Sequence, residues 1–82
     1  MYSPLRKYRE KQGLRQLDIA MLVGVSEMSI SHWERGARIP PEVVIHRLAE
    51  IFRVNPQKLH KELVDFHEQK RKGLKEKLGL RS

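Results

Sequence analysis

The 82 residues include no cysteine, which removes both a disulfide framework and thiol chemistry. No stretch approaches the ~20 consecutive apolar residues of a membrane span, and the amino terminus carries no apolar run of signal-peptide length. The expected location is therefore the cytoplasm, with no membrane partner. Aromatic residues are few: one Trp, two Tyr and two Phe. No strand-type alternation sets them in pairs and there is no GXXG loop, which argues against the common RNA-binding platforms. Acidic residues are also in short supply, ten against seventeen Lys and Arg, leaving a net charge of +7 and a pI near 10.2. Such an excess favours a polyanion: DNA, RNA or an anionic surface. It is uneven. Residues 67–82 hold Lys70, Arg71, Lys72, Lys75, Lys77 and Arg81 against Glu68 and Glu76, contributing +4 of the +7. That segment reads either as a solvated tail or as an accessory to the polyanion contact.

Catalytic and metal chemistry are not in view. His32 and His46 are far apart in the pattern, and His60 and His67 stand two turns apart on one helical face, too far to share an ion. Without cysteine or paired carboxylates there is no ligand set, so no metal and no cofactor are expected. No nucleophile–base pair stands out either, and the reading is that the chain is not an enzyme.

What is present is concentrated between Gln16 and Gly36. Gln16 to about Val23 is a short helical pattern, with Ile19, Ala20 and Val23 on one face. Gly24 stops it, since glycine adopts positive φ without strain. Ser26 is a good N-cap for a second helix, and Glu27 places a negative charge in its first turn, where the helix dipole favours it. In that helix Ile30 and Trp33 face inward, while Met28, Ser31, His32 and Arg35 are left outside. Two helices joined by so short a turn must cross closely. The crossing needs a small residue (Ala20), a tight turn (Gly24) and a branched apolar residue in the angle (Ile30). All three occur in register, which predicts a helix-turn-helix.

The flanks supply three more helices, giving an all-α, five-helix bundle in a chain of one-domain length. Ser3 and Pro4 suit the N-cap and first position of the first helix, whose Leu5 and Tyr8 face inward and which Gly13 ends. Pro41 suits the first turn of a fourth helix bearing an apolar stripe of Ile45, Leu48, Ala49 and Phe52, widened by Val44 and Ile51. Asn55 and Pro56 open a fifth, with Leu59, Leu63 and Phe66 on one face. Gly73 is expected to interrupt it, with Leu74, Leu78 and Leu80 forming a short apolar strip beyond. The expected division is a helix-turn-helix domain over residues 1–66 and a basic extension of the last helix and tail over residues 67–82.

From Leu5 to Leu59 the chain resembles the lambda repressor and Cro family of helix-turn-helix domains, also called XRE-like. The matching residues are Arg9, Gly13, Leu14, Gln16, Ala20, Gly24-Val25-Ser26, Ile30-Ser31, Trp33-Glu34-Arg35-Gly36, Pro40, Leu48-Ala49, Val54 and Leu59. The resemblance implies a double-stranded DNA partner and a homodimer. Helix 27–35 would lie in the major groove, with Glu27, Met28, Ser31 and His32 at the base edges. Glu27 departs from the commoner Gln, Arg or Ser; it either accepts from cytosine N4 or points away as a helix-dipole acid. Met28 either meets a thymine methyl or is a plain exposed methionine. His32 either donates to guanine or is a surface histidine. Gln16 would cap a phosphate at the start of the first motif helix, with Arg15 beside it and Arg35 and Arg38 on the DNA backbone, while Ser29 would reach either a phosphate or the bases. Arg38 reads equally well as a loop solubiliser. By the family pattern Arg9 pairs with Glu34. Arg53 stands where the family often has glycine, so it either accepts strain or changes the turn. Leu17 replaces a frequent Glu; it is an ordinary exposed leucine or part of a partner surface with Met21.

The resemblance thus points to a sequence-specific transcriptional regulator, a dimeric repressor of a prokaryotic, phage or plasmid promoter associated with the nucleoid. A dimer surface is expected from Arg53, Val54 and Pro56 together with an apolar face of helix five (Leu59, Leu63, Phe66) longer than so small a domain needs. An antitoxin-type autoregulator is a near alternative, and an antirepressor or toxin a possible protein partner. A protein-interaction module with the same fold is a rival from another class. That rival predicts an apolar recognition face and no phosphate-binding glutamine.

Overall fold

The computed structural model describes residues 2–79 and places them in five helices: α1 Pro4–Lys11, α2 Gln16–Val23, α3 Glu27–Glu34, α4 Glu42–Phe52 and α5 Pro56–Lys77. There is no strand among the described residues. Leu80 and Arg81, expected to end the apolar strip and the basic tail, lie outside the described residues.

The helices start where their caps say. The Ser3 hydroxyl accepts from the Arg6 amide (3.3 Å), the Ser26 hydroxyl from Ser29 (3.1 Å), and the Asn55 side-chain oxygen from Gln57 and Lys58 (2.8 and 3.1 Å). Each bond satisfies amides that the first helical turn leaves without a partner. Pro41 is one residue earlier than expected: it is the N-cap of α4, and Glu42 takes the first helical position. Arg53 accepts the left-handed conformation outright, at φ 57° and ψ 46°, and ends α4 there.

Gly73 does not interrupt α5, which runs unbroken for 22 residues to Lys77. A mid-helix glycine costs only about 0.5–1 kcal/mol relative to alanine. Its neighbours Lys72, Leu74, Lys75 and Glu76 are all good helix formers, and Lys75 and Lys77 sit in the last turn where the dipole favours cations.

The core is one cluster drawn from every helix. Leu5, Ile19, Val23, Ile30, Leu48 and Leu59 are fully buried at its centre. Tyr8 stacks on Phe52 with ring centroids 5.4 Å apart and donates to Glu62 on α5 (2.7 Å). Ala20 and Ile30 are both buried where α2 and α3 pack. Gly24, at φ 82°, turns the chain between them, and its amide and that of Val25 both donate to the Ala20 carbonyl. Arg47 on α4 donates to the Val23 carbonyl (2.9 Å) and holds the end of α2 from the other side.

The expectation of a spare apolar face on α5 is corrected by this packing. Leu59, Leu63 and Phe66 are 0 %, 3 % and 2 % exposed within the single chain. Leu59 and Leu63 are taken up by the chain's own core as α5 packs along α4 and α1, and Phe66 is covered at Gly36 and Lys70.

Candidate nucleic-acid interface

The outer face of α3 carries Glu27, Met28, Ser31 and His32, one turn apart in pairs. Glu27 and Met28 are exposed, Met28 at 68 %, while Ser31 and His32 are half-buried. Ile30 and Trp33 anchor the opposite face in the core, so the outward face is held rigidly. Ser29 is less free: its hydroxyl lies 3.0 Å from that of Ser26, within the cap of α3.

Behind this face sits a buried polar knot. Glu34, 5 % exposed at its side chain, accepts from Arg9 Nε (2.6 Å) and Arg9 Nη2 (3.0 Å) in a bidentate pair. Arg9 Nη1 continues to the Leu14 carbonyl (2.8 Å), so α1 is tied both to the end of α3 and to the loop before α2. The nearby carboxylate raises the Arg9 guanidinium further above its ordinary value, chiefly through the hydrogen bond. Glu34 Oε1 also accepts from Gln16 Nε2 (3.2 Å). That third bond has no signal in sequence spacing. It orients the Gln16 amide at the mouth of α2, where unpaired helix amides point outward. An amide NH2 carries two hydrogens, so one donor remains for a ligand.

The cations differ in availability. Arg15 forks over Asp18, whose Oδ2 also accepts the Arg15 amide (2.8 Å). That amide bond serves the start of α2 in place of a Ser or Thr cap, and the Arg15 pair holds the Asp18 carboxyl below its ordinary range. Arg35 caps α3 with its Nε 3.4 Å from the Ser31 carbonyl, and Arg38 is exposed in the loop that follows. Gly36 (φ 75°) closes α3: its amide donates to the Trp33 carbonyl and that of Ala37 to His32, the paired bonds of a Schellman motif.

Two further residues at this end come from α5; the sequence placed them only among the histidines and in the basic extension. His67 donates from Nδ1 to the Gly36 carbonyl (2.7 Å), and the Lys70 side chain lies against Gly36. The available signal was the spacing of Leu59, Leu63, Phe66 and Lys70, which continues one helical face past residue 66. Among the described residues no group of His, Asp and Glu is placed to hold a metal, and no helix is long and apolar enough to cross a membrane.

An outward polar α3 braced against a crossed α2 is a helix-turn-helix. A helix-turn-helix family model matches residues 5–59, two thirds of the chain. The chain belongs to the lambda repressor and Cro (XRE-like) helix-turn-helix family, whose members are DNA-binding transcriptional regulators. No curated protein and no solved structure matches it.

Proposed function

We propose that this chain is a sequence-specific repressor that binds a two-fold related operator as a homodimer and reads the major groove with α3. The observation that supports the proposal is the Arg9–Glu34–Gln16 network, which ties the start of α2 to the end of α3. In this reading Glu27, Met28, Ser31 and His32 meet base edges, while Gln16, Arg35 and Arg38 hold backbone phosphates, with Arg15 and Ser29 at the margins. The face is polar apart from Met28, which disfavours a protein-interaction module. A prokaryotic, phage or plasmid promoter is the setting the family supports, and the site of action would be the cytoplasmic nucleoid.

Two copies are needed because one recognition helix reads too few base pairs to select a site from a genome. Half-sites on one face of the duplex would then lie about 34 Å apart. With Leu59, Leu63 and Phe66 buried, the contact between copies falls to the α4–α5 turn, where Arg53 is exposed and Val54 and Pro56 are half-buried.

Selection of bound duplexes from a random pool, followed by footprinting with a salt titration, tests the proposal. A paired, two-fold related footprint is expected. Roughly six to eight neutralised phosphates would give a slope of log affinity on log salt of about −5 to −7. Replacing Met28 and His32 by alanine should erase site preference and leave most of that slope. A lone half-site protected by a monomer, or equal binding to every duplex, defeats the dimeric-repressor reading.

A further inference from the structure

A cleft runs between the start of α1, the start of α2, the end of α3 and the middle of α5. Its wall includes Gln16, Ser31, Arg35 and Lys70, with Arg6 and Arg9 alongside. The one acid lining it, Glu34, is already taken by Arg9 and Gln16. Arg6 pairs with Glu10. Arg35 and Lys70 have no carboxylate partner among the described residues. The cleft therefore presents two uncompensated cations, one free amide N–H and the Ser31 hydroxyl.

Lys70 is held there. A Cβ added at Gly36 would come 2.8 Å from Lys70 Cγ, so the lysine stem rests directly on the glycine that ends α3. Its ammonium lies over the Phe66 ring, 5.4 Å from the centroid. Phe66 is itself 2 % exposed and cannot move away. The helix carrying Lys70 is thus keyed to the recognition helix through Phe66, the stem of Lys70 and the bond from His67 to Gly36.

We propose that Lys70 is a DNA-phosphate ligand that completes, with Gln16 and Arg35, a single cradle at the edge of the recognition surface. The inference rests on the DNA-binding reading above. It adds a helix to that interface, since Lys70 lies beyond residues 5–59 of the family match. The ligand chemistry is that of a backbone phosphodiester: cations from two helices, an amide N–H and a hydroxyl line one cleft, beside the rings of Tyr2 and Phe66. Lys70 supplies affinity without sequence preference, because a phosphate carries none.

The test measures binding of the full chain to a mixed-sequence DNA duplex across a salt series. Lys70→Met removes the charge and keeps an unbranched stem against Gly36 and Phe66. Lys72→Met makes the same charge change about 200° around the helix. There Lys72 lines a separate groove with Glu68 and Arg71. The slope for Lys70→Met should be shallower than wild type by about 0.9 per bound copy, so about 1.8 for the dimer, which is a roughly thirty-fold loss of affinity near physiological salt. Lys72→Met should shift it by less than a third of that, and Lys70→Arg should restore the wild-type slope. Unchanged urea midpoints, read by Trp33 fluorescence, show that the fold is kept. Equal effects of Lys70→Met and Lys72→Met, or an unchanged slope for Lys70→Met, overturn the proposal. A wild-type chain that fails to bind the duplex overturns the DNA-binding reading itself, and that result is visible before any variant is made.

Discussion

Breaking the Arg9–Glu34 pair from either side should be among the most damaging single changes available in this chain. Glu34→Ala removes the acceptor of three hydrogen bonds and leaves a guanidinium, 13 % exposed, with only the Leu14 carbonyl. Arg9→Ala leaves a carboxylate, 5 % exposed, with only the Gln16 amide, and strips the Leu14 carbonyl of its donor. Uncompensated charges at such depth cost about 3–5 kcal/mol. The partial exposure of Arg9 lets some water reach it, so Glu34→Ala should fall near the bottom of that range and Arg9→Ala somewhat higher.

The double variant removes both charges together. It retains the costs of the lost volume and of the Leu14 carbonyl, about 3–4 kcal/mol in all, so the coupling energy should be about 3 kcal/mol. For a chain of this length the total stability is on the order of 4–12 kcal/mol, and a 3 kcal/mol loss is a large part of it. Urea unfolding followed by Trp33 is a suitable assay, because this buried residue, the only tryptophan, is the immediate neighbour of Glu34. With a urea slope near 1 kcal/mol per molar, each single variant should lower the midpoint by about 3 M. Glu34→Gln, which keeps an acceptor oxygen but not the charge, gives a milder rung if an alanine variant is unfolded without urea. A coupling below about 0.5 kcal/mol, the level of an exposed pair, would refute the reasoning that the knot is a buried structural element.

Three other outcomes follow from local geometry. Gly36→Ala should cost about 2–4 kcal/mol in a thermal or urea melt, from the positive φ and from a Cβ driven to 3.0 Å from the buried Phe66 ring; Gly13→Ala, at similar φ with nothing within 4 Å, should show only the backbone part, about 1–2 kcal/mol. Arg53→Gly should stabilise the fold by about 0.5–1 kcal/mol by relieving a left-handed non-glycine residue, and a loss in the urea midpoint would contradict this. Tyr8 is pushed up to about 12, first by burial and then by its hydrogen bond to Glu62. Because its proton is held more tightly in the fold, that stability is fully present below about pH 10 and is lost as pH rises towards about 12. The difference in stability between wild type and Tyr8→Phe should therefore change across that window, and a constant difference would count against it.

What could be read from the residues alone divides by range. Caps and stops are local, so Ser3, Ser26 and Asn55 announce the starts of α1, α3 and α5, and Gly24 the end of α2. The inward stripes of α2, α3 and α4 follow from helical periodicity. The contact between Arg9 and Glu34 spans 25 positions and has no local signature; only the family resemblance pointed to it. Gly73 was misleading because a local propensity of about 1 kcal/mol is weak against the continuation of a 22-residue helix. The fate of Phe66 turned on something no periodicity contains: the absence of a side chain at Gly36, thirty positions earlier. Once that space is known, the stripe Leu59, Leu63, Phe66, Lys70 reads differently. A lysine that continues an apolar face can lay its stem along the core and put its ammonium in water. At α5 that arrangement brings a cation to the end of α3, the one place on this surface where the Arg35 charge already stands without a carboxylate among the described residues.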